Sequence, residues 1–335
     1  MRVGLAYDLK QAVQIGTAAP EDALEEYDSP TSIGYIRKAL EGAGHVVIDL
    51  GGGTEFIQNV LREKVDIVFN IAEGRGTYRS RESQVPAILE MLDIPYTGSD
   101  PECLAICLDK PVTKKLVRLA GITTPEWRVV NNKDELDDIS FADFPFPAIV
   151  KPAYEGSSKG VHGKSLVETQ EQSYSVVDES LRVYQQPIMI EQFIDGDEIT
   201  VGLLGNSPRR VVLGMMRIIP RKQKNRFVYS VEVKRDWQNL VDYEVPANLK
   251  EEVQKEIVKA SLKTYDVLGC RDFARIDFRV SKDGIPYMLE INPLPGLGDY
   301  SDLVIMALKL GWSHQGLIAA VFNAALKRYP LWVHG

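Results

Sequence analysis

The stretch from Arg271 to Pro293, RDFARIDFRVSKDGIPYMLEINP, constrains this chain more than any other. Two runs of β-branched and aromatic residues flank Asp283-Gly284, a pair that accepts the positive φ angles of a tight two-residue turn, so the spacing predicts a β-hairpin. With those residues as the loop, Asp277 faces Glu290 and Arg275 faces Asn292, at non-hydrogen-bonded positions where side chains approach closely. Pro286 suits this register, because its missing N–H points away from the partner strand. The other face, Ala274, Ile276, Phe278 and Val280 against Tyr287, Leu289 and Ile291, reads as buried. Opposed carboxylates repel unless a cation lies between them. Asp277, Glu290 and Asn292 offer only oxygen ligands, which suits Mg²⁺. A solvated face on which the acids merely pair with Arg275 is the alternative.

The chain has 335 residues, 44% of them hydrophobic and 26% charged, which fits a globular protein of two or three domains. No run of 18 apolar residues and no signal-peptide pattern is present, which predicts a cytoplasmic location without membrane association. A net charge of −8 argues against nucleic acid as a partner. Cys103, Cys107 and Cys270 form no C-x-x-C pair and read as reduced core thiols. His45, His162, His314 and His334 lack metal-ligand spacing.

From the N-terminus, the strand Val3 to Tyr7 leads into an acidic segment (Glu21, Asp22, Glu25, Glu26 and Asp28) without a clear period, read as a loop over the domain edge. A helix capped by Thr31 and stopped by Gly42, the strand HVVIDL, a helix near Thr54 to Arg62 and the strand VDIVFNI complete a β-α-β-α-β pattern and a small parallel sheet. The glycine-rich, charged run after Asn70 follows the carboxyl end of a strand, where open α/β sheets place ligands. Glu73, Arg75, Arg79, Arg81 and Glu82 are therefore candidate substrate contacts, with a solvated loop as the bland reading.

FPAIVKPAYEGSSKGVH sets Lys151 at a strand end before the small residues Gly156, Ser157, Ser158 and Gly160, whose N–H and hydroxyl groups suit an anion. It lacks the G-x-x-x-x-G-K-[ST] pattern, so it is a phosphate loop of another class. PIMIEQFIDGDEITVGLL gives two strands. Glu191 and the backbone of Gln192, Phe193 and Ile194 suit a purine edge, and Glu198 suits ribose hydroxyls. Between Arg217 and Arg235, Arg217, Arg221, Lys222, Lys224, Arg226, Lys234 and Arg235 stand against Glu232 alone, which predicts a lid over a triphosphate. Ser301, opening a helix, suits an anion.

IPYTGS, the LDK at Leu108 to Lys110, IVKPAYEGSSKGV, MIEQFIDGDEITV, GCRDFARIDF and LEINPLPGL together resemble the ATP-grasp superfamily and, within it, D-alanine:D-alanine ligase and its relatives, over roughly residues 66 to 325. The resemblance implies an α/β chain, α+β in its C-terminal part, with an ATP-grasp fold behind an N-terminal Rossmann-like parallel-sheet domain. Its expected divisions are a pre-ATP-grasp substrate domain at 1–97, a central subdomain with the phosphate loop at 98–186 and a C-terminal subdomain with lid and metal site at 187–335. It implies an ATP-dependent carboxylate-amine ligase working through an acyl phosphate in peptidoglycan biosynthesis, with small-molecule carboxylate and amine substrates and a homodimeric assembly. Lys110, Lys151 and Lys234 would contact the ATP phosphates, with Gly156, Ser157 and Ser158 in their loop. Asp277, Glu290 and Asn292 would hold two Mg²⁺ ions, or Mn²⁺ in their place. Arg275, Ser157 and Lys234 would be catalytic, and Gly296 with Ser301 would grip the second substrate's carboxylate.

The chain departs from the family in four places. The early Gly-Gly-x-Ser-x-Glu segment is replaced by GLAYDLK, the His-Gly…Gly-Glu-Asp-Gly signature by AEGRGTYRSRES, a lid tyrosine by Arg235 and the serine-proline-glycine turn by LPG. The expected function stays D-alanine:D-alanine ligase-like, and these changes open a same-superfamily alternative, an acid whose negative charge or polar tail suits Arg79, Arg81 and Arg235. A nucleotide-binding regulatory protein without turnover is the rival from another class.

Overall fold

The computed structural model describes residues 1–14, 16, 19–222 and 226–329. Lys224 and His334 lie outside these residues. The first sheet comprises β1 (Arg2–Ala6), β2 (Val46–Gly51) and β3 (Ile67–Asn70), connected through α1 (Pro30–Gly42) and α2 (Gly53–Arg62). Its strands are parallel in the order β2-β1-β3, as the alternating pattern requires. The cap of α1 is Ser29 rather than Thr31. Ser29 is extended, its Oγ accepts from the Ser32 N–H at 3.1 Å, and Pro30 fills the first helical position, where an N–H has no partner to lose. Ser29→Ala is expected to lower stability by about 1 kcal/mol, read as a shifted urea midpoint at constant slope.

After β3 come α3 (Gln84–Met91), α4 (Pro101–Leu108) and α5 (Lys110–Leu119). Asp100 and Asp109 cap α4 and α5 by accepting from the Cys103 and Val112 N–H groups. The second sheet is antiparallel with order β4-β7-β5-β6. It contains β4 (Trp127–Val130), β5 (Ala148–Pro152), β6 (Leu166–Val167) and β7 (Ile188–Gln192), with α6 (Lys133–Asp138) and α7 (Gln170–Tyr184) between them. The division expected after residue 186 would cut β7 from its own sheet, because β7 pairs with both β4 and β5.

The third sheet has order β10-β9-β8-β11-β12 and is built from β8 (Gly196–Leu204), β9 (Val211–Pro220), β10 (Val241–Glu244), β11 (Phe273–Ser281) and β12 (Pro286–Asn292). The short α8 (Val231–Arg235) and α9 (Trp237–Leu240) precede β10, and α10 (Glu251–Val267) precedes β11. Finally α11 (Asp302–Lys309) and α12 (His314–Leu326) return the chain to the first sheet, where α12 packs on α1 and Phe322 stacks on Phe69.

The hairpin β11-β12 keeps the expected pairs Asp277 with Glu290 and Arg275 with Asn292. Its turn is different. Ser281 O accepts from the Gly284 N–H, Ile285 O accepts from the Ser281 N–H, and Gly284 has φ 82°, so the loop has three residues rather than two. The parity this would upset is restored by a bulge at Leu289, between the pairs Asp277–Glu290 and Phe278–Met288. Met288, not Tyr287 or Leu289, therefore joins Ile291 on the buried face. The outer edge of β12 is covered by residues 123 and 124, since the Met288 N–H donates to Thr123 O and the Thr124 hydroxyl to Met288 O.

Candidate active site

Two cavities meet over the hairpin. The narrower, of about 100 Å³, lies between the second and third sheets and is lined by Lys110, Lys151, Glu191, Gln192, Phe193, Ile194, Glu198, Ser158, Lys234, Asp277 and Glu290. These are the expected nucleotide and metal residues, drawn from α5, β5, β7, β8, β11, β12, two loops and the lid. Alternation along β7 and the end of β5 brings Lys151 onto Glu191 at 2.9 Å. Lys114, one turn beyond Lys110 on α5, reaches the other carboxylate oxygen at 2.7 Å and is fully buried. Burial lowers the Lys114 ammonium to about 8 against the pull of Glu191. Burial also works to raise Glu191, but Lys114 and Lys151 outweigh it and hold the carboxyl below its ordinary range.

Glu290 stands 3.6 Å from Lys110. Burial would raise its carboxyl, yet Lys110, Lys151, Arg275 and Lys234 keep it down at about 2. Asp277 accepts from Arg275 at 2.8 Å and from the Thr200 hydroxyl at 2.9 Å. The oxygen donors of Asp277, Glu290 and Asn292 thus share one face of the hairpin, with Arg275 against Asp277 and Lys110 beside Glu290. Leu289, turned by the bulge, also lines this cavity. Arg279, two residues beyond Asp277 on the same strand face, holds Ile194 O at 3.0 Å and Glu198 at 3.3 Å.

The wider cavity, of about 510 Å³, is lined by Glu73, Glu82, Ser157, Lys234, Arg235, Arg275, Asn292, Gly296 and Ser301. Arg275 is buried between Asp277 and Asp302, which raise its guanidinium further despite burial. Ser301 opens α11 without capping it through its side chain, and a Cβ on Gly296 would stand 2.9 Å from its Oγ.

Arg79 and Arg81 do not line either cavity. Arg79 is largely exposed, 3.5 Å from Asp109. Arg81 is 2% exposed and donates to Tyr154 O, Glu26 and Glu155, at 2.7, 2.6 and 3.1 Å, so it clamps the first domain to the phosphate loop. Arg235 reaches the cavity but is engaged by Glu21 and Glu25. The expected bare field of the lid is also mostly neutralised. Arg217 belongs to β9 and pairs with Asp197, Arg221 with Asp242 and Arg226 with Glu168.

Those contacts expose what the sequence concealed. The acidic segment is a strap across the phosphate loop rather than a loop over an edge. Glu26 accepts from the Gly156 N–H, and Asp22, 1% exposed, accepts from the Gly160 N–H at 2.7 Å and the Tyr184 hydroxyl at 3.0 Å. Ser157 and Ser158 hold φ of 49° and 61° there, and the Ser158 hydroxyl donates to Tyr229 O, joining loop to lid. Glu26, one of five acids between Glu21 and Asp28, gave no periodic signal of its own. Lys114 was missed, although its place at i, i+4 from Lys110 puts both on one helix face.

Residues 116–323 match the family model described as the D-Ala–D-Ala ligase C-terminus. The D-alanine–D-alanine ligase of Aquifex aeolicus is 36% identical over 290 residues, 86% of this chain and 92% of that protein. The chain belongs to the D-alanine–D-alanine ligase family. Members of this family are ATP-dependent ligases, and the fold is their ATP-grasp fold. An uncharacterised protein of Sinorhizobium fredii is 34% identical over 87% of this chain and 86% of its own. The crystal structure of the Bacillus anthracis D-alanine–D-alanine ligase complexed with ATP superposes with a TM-score of 0.72 at 25% identity, covering 98% of each chain. No single helix among the described residues is long and apolar enough to cross a membrane.

Glu82 carries a further expectation for this family member. Burial lifts its carboxyl to about 7, with Arg81 opposing and Glu26 adding to the rise. A raised carboxyl stabilises the fold fully below its unfolded value near 4.5, and this contribution is lost as the pH rises through 7. Glu82→Gln is therefore expected to gain stability relative to the parent between pH 5 and pH 8 in paired thermal melts. A constant difference across that range would contradict the assignment.

Proposed function

We propose that this ATP-dependent ligase activates an amino acid's carboxylate as an acyl phosphate in the wider cavity and joins it to a second amine. The observation that carries this reading is the meeting of the two cavities at Tyr229, Lys234 and Asp302, with Glu290 on the narrower side and Arg275 and Asn292 on the wider. A nucleotide lying along Glu191–Ile194 with its ribose toward Glu198 would direct its phosphates to Lys110, Lys151 and the Gly156–Ser158 loop. The substrate carboxylate, entering from the wider side, attacks the γ-phosphorus, and ADP leaves with the bridging oxygen's electron pair. The second amine then adds to the acyl carbon and displaces inorganic phosphate. Arg275 is buried, permanently charged and preorganised by Asp277 and Asp302, which suits it to the oxyanion of that tetrahedral step.

The all-oxygen donor set of Asp277, Glu290 and Asn292, with Glu290 held ionised by the surrounding cations, fits Mg²⁺ and would accept Mn²⁺. When bound there, such ions would offset charge on the phosphoryl oxygens. Ser301 and the Gly296 turn are assigned to the second substrate's carboxylate. By family likeness the assembly is a homodimer, which light scattering would test.

The deciding assay is phosphate release from Mg-ATP across D- and L-amino acids, hydroxy acids and dicarboxylates, with product masses recorded. Release dependent on an amino acid, with a mass equal to its dipeptide, is expected. Saturable ATP binding without release for any acid would favour the regulatory reading.

A further inference from the structure

We propose that the three cysteines form a binding site for a soft ion that takes three sulfurs, with trivalent arsenic the occupant that their surroundings favour. None of the three lines either cavity over the hairpin, and the site does not depend on the ligase reaction. The chain has three cysteines, and all of them meet. Cys103 and Cys107 stand on one face of α4 at i, i+4, and Cys270 arrives from the connection between α10 and β11, 167 residues from Cys103 in sequence. The Cys103 Sγ lies 3.9 Å from the Cys107 Sγ and 3.6 Å from the Cys270 Sγ, and all three sulfurs lie within 4.8 Å of one another. The centre of such a triangle is about 2.3 Å from each vertex, the length of a metal–thiolate bond. A cysteine that only fills a core behaves as a small apolar group and has no reason to meet another.

No histidine nitrogen or carboxylate oxygen among the described residues joins the three sulfurs within that distance. Zn²⁺, which takes four ligands in structural sites, is therefore poorly matched, whereas a soft ion content with three thiolates is matched in number and in donor type. Charge decides between such ions. The three cysteines are at most 7% exposed and belong to the same apolar core as Val117, Ile122, Tyr265 and Leu268, where uncompensated charge is costly. Arsenite, As(OH)₃, forms three As–S bonds as three waters leave, each made from one hydroxyl and one thiol proton. Nothing is oxidised or reduced, and the product is neutral. Cu⁺ on the same three thiolates would leave two negative charges behind. Hydrogen bonds with Cys107 and Cys270, helped by Ser99, hold the Cys103 thiol well below its ordinary value against burial, so one sulfur gives up its proton ahead of the others. An occupied site would pin α4, which leads to Lys110, to the root of the strand that carries Arg275 and Asp277.

The test dialyses the full chain, kept reduced with a phosphine, against arsenite, Cu⁺ or Zn²⁺ until occupancy is constant, because ions reach these sulfurs only through local opening. Bound ion is counted by elemental mass spectrometry and its sulfur neighbours by X-ray absorption. One arsenic per chain with three sulfur neighbours is expected, together with a thermal midpoint that rises with arsenite concentration. Cys103→Ala, Cys107→Ala and Cys270→Ala should each weaken binding by more than about 100-fold, since even an outer partner of a bound metal is worth about 10–100-fold. Should a variant fail to fold, the sulfur count on the unaltered chain still decides. Cu⁺ held by three sulfurs where arsenite is not would keep the three-sulfur site and overturn its preference for a trivalent ion. Zn²⁺ held more tightly than either in a cysteine-dependent way, two sulfur neighbours or fewer, or binding that the substitutions leave unchanged overturns the inference. So does the absence of any bound ion.

Discussion

Glu290→Gln is expected to lower phosphate release from Mg-ATP by more than about 100-fold, since even residues one step removed from a metal cost about 10–100-fold. The amide keeps the shape of the side chain and removes its charge. Four cations, Lys110, Lys151, Arg275 and Lys234, hold this carboxyl ionised at about 2, so at neutral pH the native protein never presents it protonated. The substitution thus deletes a full negative charge from the wall of the narrower cavity. If that charge serves a divalent ion, the residual rate rises with Mg²⁺ concentration and half-saturation shifts upward. Near-native turnover at limiting Mg²⁺ would remove Glu290 from the metal site. Asp277→Asn should behave similarly but also loosen Arg275, which loses its closest carboxylate.

Glu191→Ala is expected to cost about 3–5 kcal/mol of stability, the usual penalty for removing one member of a buried ion pair. Two lysines would be stranded. Lys151 loses a partner at 2.9 Å and Lys114 one at 2.7 Å, and Lys114 has no exposed surface through which water could replace it. Because Glu191 sits below its ordinary range, the stability it confers is present above the unfolded carboxyl value and is lost as the pH falls through the lower folded one. The parent and variant unfolding curves should therefore converge in acid. A loss under about 1 kcal/mol at pH 7 would show that the triad is already open to solvent. Lys114→Met in the Glu191→Ala background should recover part of the loss by removing one of the stranded charges.

The hairpin was legible because both of its controls are local. Its glycine marked the turn, and alternation put Asp277 and Glu290 on one face and Ile276 and Ile291 on the other. The turn length was misread, because Asp-Gly serves both two- and three-residue loops, and the bulge at Leu289 carries no residue signature of its own. Lys151, Glu191 and the Gly156–Ser158 loop were legible for the same reason, lying at strand ends or among small residues, whereas Lys110, which opens α5, was reached only through the resemblance. Substrate-side residues were not. Arg81 and Glu82 are neighbours in sequence, yet one faces a buried pair of acids and the other an open cavity. That choice is made by Glu26 and Glu155, which lie 55 and 74 residues away in sequence. Charge in a loop reveals that something will be paired, not whether the partner belongs to the chain or to a ligand.

The strap bears on how this protein can be recombined. Its three sheets invite treatment as interchangeable modules, and the matching family model begins only at residue 116. Yet Asp22 and Glu26 hold two amides of the phosphate loop, and Arg81 reaches across to Tyr154 and Glu155. A chimera joined near residue 97 would inherit a loop whose anchors were written in the discarded half. The first domain and the loop have to be exchanged as one unit, and inheritance of substrate choice should follow that seam rather than the boundary between sheets.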